Sequence, residues 1–262
     1  MEHPRVTFII ANYNYGKYLT DAIESASKQE YPKNKLRINF IDDCSTDDSR
    51  EILKSKFLQD AKLSLFNGIE VLTSQVNGVE LNVFLLPENK KQAYARNVGI
   101  RYSLDDTDLY AILDADDINY KNKIARLAGE WAVLPGFVGA VYADYHTLNV
   151  ETELMSYDYK KPYDKQVLHR ECIVHSGSLV SKTALLQCEE NGWFFDPTLP
   201  PCEDYDMWLR ISDKFLIIHV AEPLSLVRIH KQNCTYTISN ERWREQVKKV
   251  YTKAGRRNGQ IQ

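Results

Sequence analysis

The sequence predicts an α/β fold, a Rossmann-like and largely parallel central sheet flanked by helices, on three observations. Apolar runs and helical patterns alternate three times within residues 1–117. Two of those runs end in clustered aspartates, at Asp42-Asp43 and at Asp114, Asp116 and Asp117. The 262 residues are 44% hydrophobic and 26% charged, a balance that supports one sizeable core.

"RVTFIIA" is apolar and β-branched along its length, as suits a strand covered on both faces, and "ANYNYGKY" then turns into a helix carrying Leu19, Ile23 and Ala26. "LRINFIDD" and "CSTDDSREILKSKF" repeat the plan. "IEVLTSQVNGVELNVFLL" holds Asn77-Gly78 between two β-rich runs and reads as a hairpin inserted within residues 57–86, because a type I′ turn needs positive φ at both central residues. "NKKQAYARNVGIRYS" reads as a helix leading into the strand "LYAIL". Further on, "KNKIARLAGEWAVL" predicts a helix and "FVGAVYADY" a strand, while residues 147–164 give no clear pattern. "SKTALLQCEENGWF" predicts a helix stopped by Gly192, "EDYDMWLRISDK" another, and "FLIIHVA" and "LSLVRIH" two strands.

The formal net charge of −3 excludes the broad basic field that draws proteins onto nucleic acid. Five scattered cysteines, Cys44, Cys172, Cys188, Cys202 and Cys234, contain no CxxC pair and read as buried free thiols. The start "MEHPRVTFII" has no signal-peptide pattern, and no apolar run approaches the ~20 residues that span a bilayer, so the expected location is the cytoplasm.

"LYAILDADD" sets three carboxylates in four positions at a strand end, where open α/β sheets bind ligands. Two carboxylates ~5 Å apart repel by roughly 3 kcal/mol at an effective dielectric of ~20, so the tip calls for a positive partner. If the segment stays extended, Asp114 and Asp116 project to one side and suit Mg²⁺ or Mn²⁺, which commonly takes one or two protein carboxylates and fills its other positions with water and phosphate oxygens. Strand-end aspartates also simply cap turns.

In order, "VTFIIANYNYGKYLTDAIESASKQ", "FIDDCSTDDS", "ENKKQAYARNVGI", "ILDADD" and "CEDYDMWLRI" resemble the blocks of the family 2 glycosyltransferases, inverting enzymes of the GT-A fold that use nucleotide-sugar donors. The resemblance covers most of residues 5–117 and about 170–230. It implies that Ala11, Asn12 and Tyr13 lie against the nucleobase and that Asp43 or Asp42 accepts a hydrogen bond from a pyrimidine N–H. It places Arg96 near the donor phosphates or the acid tip, Asp114 on ribose or sugar hydroxyls, and Asp116 on the metal, Mn²⁺ or Mg²⁺. His230, closing "LSLVRIH", resembles a histidine that some relatives place on that metal, and His175 is a candidate acceptor contact. Simpler structural roles compete throughout: a turn for Asn12 and Tyr13, a helix cap for Asp42-Asp43, an exposed helix arginine for Arg96, and hydrogen bonding alone for the two histidines.

Sugar transfer needs a base for the attacking hydroxyl, and such help is typically worth ~10²–10⁴ in rate. "PPCEDYDMWLRI" offers Glu203 and Asp204 at a helix start, where acids also complement the helix dipole. With the resemblance, Asp204 becomes the base and Glu203 its support at the acceptor site, while Asp206 falls on another side of the helix. The implied activity is metal-dependent inverting transfer from a nucleotide-diphosphate sugar, with a lean to UDP, to a hydroxyl of a glycan or lipid-linked acceptor.

Two features depart from the family pattern. "SNERW" has Ser239 where processive synthases carry Gln in Q-x-x-R-W, which favours single transfers, and the hairpin around Asn77 is extra. The tail "NERWREQVKKVYTKAGRR" aligns Trp243, Val247, Val250, Tyr251 and Ala254 on one helical face. That face either docks on the rest of the domain or lies on anionic lipid at the inner membrane surface. The expected organisation is one domain, with residues 1–117 binding donor, 118–238 binding acceptor and 239–262 forming the C-terminal helix and tail. Two alternatives are a sugar nucleotidyltransferase, which wants a glycine-rich phosphate loop where "ANYNYGKYL" has one glycine, and a non-catalytic carbohydrate-binding protein on a transferase scaffold.

Overall fold

The computed structural model describes residues 3–233 and 237–257, so Cys234 lies outside the described residues. Strand β1 (Val6–Asn12) pairs in parallel with β2 (Leu36–Asp42) and with β6 (Leu109–Asp114), and β2 pairs in parallel with β5 (Val79–Leu85). Alternate residues of β1 explain its unbroken apolarity. Val6, Phe8 and Ile10 enter one core with α1 (Gly16–Ser27), α2 (Ser49–Phe57) and α4 (Lys123–Trp131), whereas Ile9 and Ala11 enter a second core on the opposite face. Helix α3 (Lys91–Tyr102) covers that second face. It approaches closely at Gly99, where an added Cβ would stand 2.6 Å from Ile41 Cδ1 and 3.2 Å from Ile9 Cδ1.

The sheet is mixed rather than largely parallel. Its parallel centre is extended by β3 (Lys62–Phe66) and β4 (Ile69–Val76) on one side. On the other stand β7 (Ile118–Asn119), β8 (Val138–Asn149), β10 (Leu179–Ser181) and β11 (Leu216–Ile229), in the order β3-β4-β5-β2-β1-β6-β10-β8-β11-β7, with β9 (Met155–Asp158) on β8. Asn77 and Gly78 take φ of 51° and 77°, as the predicted hairpin requires. Asn67-Gly68 makes a second such hairpin, β3–β4, which the sequence reading passed over.

Helices α5 (Lys165–Leu168), α6 (Lys182–Gln187), α7 (Glu203–Ser212) and α8 (Asn240–Arg257) join α3 on the second face. Three expectations need correction here. Helix α6 ends at Gln187, and Gly192 (φ 80°) instead serves a tight turn closed by the paired backbone hydrogen bonds of Glu190 and Trp193. The two strands expected between Phe215 and His230 are one strand, β11, bent by register shifts around Pro223. Of the four described cysteines, only Cys188 and Cys202 are buried.

Helix α8 docks on α7 through buried Val250 and Ala254, while Trp243 stays 39% exposed. Among the described residues, no helix is long and apolar enough to cross a membrane.

Candidate functional site

Register fixes the first layer of the site. Asn12 is level with Asp42, and Ala11 with Asp114, so three neighbouring parallel strands deliver the first loop and both aspartate clusters to one sheet edge. Asp42 is fully buried and already engaged by Asn12 Nδ2 at 3.0 Å, Ser45 N at 3.1 Å and Arg50 Nε at 2.6 Å. Asp43, also buried, accepts from the backbone N–H groups of Lys90 and Lys91, both at 2.7 Å, and so caps α3 rather than the helix that follows it in sequence. Burial raises the Asp43 carboxyl despite those bonds. Ala11 belongs to the core, Asn12 Oδ1 is buried with no partner among the described residues, and Tyr13 is 42% exposed.

Gln92 and Arg96 share one face of α3 at i, i+4 and converge on Asp114 Oδ1, at 2.8 Å from Gln92 Nε2 and 2.6 Å from Arg96 Nη2. The other fork of Arg96, Nη1, reaches Glu203 Oε1 at 3.2 Å, and the guanidinium lies over the Phe195 ring. At 2% exposure, Arg96 is a buried bridge and not a surface arginine. It joins the strand end of β6 to the first turn of α7, whose Glu203 is 107 residues on from Arg96.

Arg96 also sets the electrostatics. Burial by itself would raise Asp114, but Arg96 and the Ser176 hydroxyl (3.1 Å from Oδ2) hold it below the usual range. Glu203, sealed at 3% exposure, is pushed up to about 7 by burial in spite of Arg96. Asp204 is half-buried and accepts from Tyr205 N at 2.7 Å. Its carboxyl is raised by burial and by Asp114, against the pull of Arg96. Asp206 lies two residues on, about 200° around the helix from Asp204, and faces away from this cluster, where it accepts from Arg210 Nε at 3.0 Å, Lys253 Nζ at 3.2 Å and Arg257 Nη1 at 2.9 Å. Asp206→Ala takes from Arg210 its buried carboxylate partner and leaves Lys253 and Arg257 held only by Glu190 and Asp196 among the described residues. A loss of about 3 kcal/mol is expected, or roughly 6–12 °C in Tm, with α8 becoming sensitive to protease. An unchanged melting curve would refute the clamp.

The expectation that Asp114 and Asp116 project to one side is not met. Strand β6 stops at Asp114, and Asp117 N closes a turn on Asp114 O at 3.0 Å, which swings Asp116 away from Asp114. Asp116 Oδ2 meets Asn233 Nδ2 at 2.9 Å and His230 Nε2 at 3.1 Å, and the His230 ring stacks on Tyr18. Adjacent ligands of an octahedral ion with ~2.1 Å bonds lie ~3 Å apart, so the Asp116 and His230 donors fit one Mg²⁺ or Mn²⁺. Gln232 N donates to His230 Nδ1, which leaves the proton on Nε2, and an ion binding there must displace it. Among the described residues no group of three or more His, Cys, Asp or Glu could hold a metal, so further ligands would be water and substrate oxygens.

Asp117 is held well above the usual carboxylate range by burial and by Asp116 and Asp114, while accepting from Arg228 N at 2.9 Å. His175 Nδ1 accepts from Gly177 N at 3.0 Å, and burial with Lys123 and Lys160 nearby presses its pKa down to about 3, so the ring is neutral. Sequence reasoning missed Gln92, Ser176, Asn233, Arg228 and Lys123. Only Gln92 carried a readable signal, its i, i+4 spacing from Arg96.

The family model for glycosyl transferase family 2 matches residues 7–186. Glycosyltransferase TuaG of Bacillus subtilis, whose name assigns it to teichuronic acid biosynthesis, is 25% identical over 250 residues, 92% of this chain and 84% of that protein. Glycosyltransferase GlyG of Streptococcus pneumoniae serotype 4 is 32% identical over 122 residues, 47% of this chain but only 33% of GlyG's own length. Among solved structures, Staphylococcus aureus TarS 1–349 in complex with UDP-GlcNAc superposes with a TM-score of 0.69 at 15% identity, over 95% of this chain and 66% of that one. The mannosyltransferase PcManGT from Pyrobaculum calidifontis, in complex with GDP-Man and Mn²⁺, gives 0.61 at 16%, over 100% and 66%. The fold is therefore GT-A, and the chain belongs to glycosyl transferase family 2.

Proposed function

We propose that the protein is an inverting glycosyltransferase that moves a sugar from a nucleotide-diphosphate sugar, a UDP-sugar in the leading reading, to a hydroxyl of a glycan or lipid-linked acceptor. The observation that carries this is the buried Arg96 bridge, which places the Glu203-Asp204 helix start beside the acid strand end at one sheet edge. The donors in TarS and PcManGT, UDP-GlcNAc and GDP-Man, support a nucleotide-sugar site on this fold.

The acceptor oxygen attacks the anomeric carbon from the face opposite the leaving group. The bond from that carbon to the diphosphate oxygen breaks, its electron pair leaves with the nucleoside diphosphate, and configuration inverts. Asp204, more basic than a free aspartate, takes the acceptor proton as the new bond forms. Asp114, with one oxygen on Arg96 and Gln92 and the other on Ser176, is oriented to accept from donor hydroxyls. Mg²⁺ or Mn²⁺ held by Asp116 and His230 would neutralise charge on the departing diphosphate. Tyr13 is the open side chain for the base, with Ala11, Asn12 and the Asp42-Asp43 pair behind it.

With Mn²⁺ present, the correct nucleotide sugar should raise Tm and be slowly hydrolysed, and chelator should abolish both effects. Hydrolysis undiminished by excess chelator would remove the ion from this reading. A panel of nucleotide sugars with no thermal shift would overturn the reading itself.

A further inference from the structure

Lys123 is the first residue of α4, and local physics opposes a charge there. It is 3% exposed, and its Nζ donates to a neutral acceptor, Asn119 Oδ1, at 2.8 Å. Among the described residues no carboxylate stands within ion-pair distance of it. An ammonium at a helix start faces the positive end of the helix dipole, and burying one without a partner costs several kcal/mol. Local rules broken this way are expected at functional sites.

The surroundings supply what the local structure does not. A Cβ built on Gly177 would lie 3.6 Å from Lys123 Nζ and 3.0 Å from the His175 ring, so the ammonium is sealed against the His175–Gly177 loop. The neighbouring Ser176 of that loop holds Asp114. On the other side lies β7, just after the acid tip, where the Asn119 Nδ2 is itself buried with no partner among the described residues. The charged or titratable groups acting on Lys123 are Asp117 and Asp114 from the tip and His175 from the loop. Burial lowers its pKa to about 8, and the two aspartates keep it from falling further.

We propose that Lys123 is a built-in counter-cation of the acid tip: its buried ammonium offsets Asp114 and Asp117 when no ion is bound and so sets how tightly the site takes a divalent cation. This rests on the reading of Asp116 and His230 as the seat of that ion. Lys123 is a positioning residue, acting through the carboxylates.

The test is calorimetric titration of the full chain with MnCl₂ alone, comparing wild type with Lys123→Met and Lys123→Gln, each checked for folding by circular dichroism. Both variants should bind Mn²⁺ about threefold or more tightly than wild type, the direction expected when a unit positive charge is removed from the surroundings of a dication. Loss of a merely structural lysine would leave Mn²⁺ affinity equal or weaker, and that result overturns the proposal. Should neither variant fold, the ¹³Cε resonance of Lys123 in the wild-type chain carries the test. By linkage, Mg²⁺ should move its titration midpoint to lower pH, and an unmoved midpoint refutes the role. A wild type that binds no Mn²⁺ overturns this inference together with the metal in the proposed function, whereas equal binding by all three proteins overturns this inference alone.

Discussion

Asp204→Asn is expected to lower kcat by at least ~10² while leaving the affinity for UDP unchanged. The substitution is nearly isosteric, and the amide oxygen keeps the hydrogen bond from Tyr205 N, so helix α7 should form as before. What disappears is the carboxylate that takes the acceptor's proton in the proposed mechanism. Burial and the nearby Asp114 charge raise the Asp204 carboxyl, which makes it a stronger base than an exposed aspartate. Steady-state turnover with the donor found by thermal shift, together with UDP titration, separates the two effects. Near-normal turnover would take Asp204 out of the mechanism, and lost UDP binding would place it in the donor site instead.

Arg96→Leu is expected to destabilise the fold by about 3–5 kcal/mol, the usual cost of removing one partner from a buried ion pair, or roughly 6–20 °C in Tm. The loss leaves Glu203 and Asp114 facing each other across the gap with no guanidinium between them. Arg96→Lys restores the charge but not the planar fork that reaches two carboxylates at once, so it should fall between. The deficit depends on pH with a definite sign. Folded Glu203 titrates at about 7, above its unfolded value. It therefore favours the folded state most below the unfolded value, and that contribution is gone once pH has risen through 7. At pH 5 Glu203 is protonated and needs Arg96 less, so the wild-type-minus-variant gap should be smaller at pH 5 than at pH 8 by calorimetry. A gap of equal size at both values would refute the coupling between these two groups.

The parts of the fold that local chemistry dictates were legible in the sequence. The run 5–11 read as a doubly covered strand because both faces of β1 are buried, and Asn77-Gly78 read as a turn because its φ values are positive. The same dipeptide at 67–68 lacks that context in the sequence, because β3 is an exposed edge strand with no clean alternation. Long-range pairing was not legible. Nothing in "FLIIHVA" and "LSLVRIH" announces that one partner, β8, runs beside both and makes them a single bent strand.

The site divides in the same way. The acidic residues were found because strand ends and helix starts have local signatures. Their partners were not, because a bridge from Arg96 to Glu203 is set by tertiary packing, and one early backbone turn after Asp114 was enough to separate two carboxylates that an extended chain would have aligned.

Helix α7 carries two unlike contacts within its first turn. Asp204 stands on one side of its first turn, and Asp206 grips Lys253 and Arg257 of α8 on the other. A load on α8, from a surface it touches or a segment joined to it, would reach Asp204, the base of the proposed mechanism, through the Asp206 clamp and the packing of Val250 and Ala254.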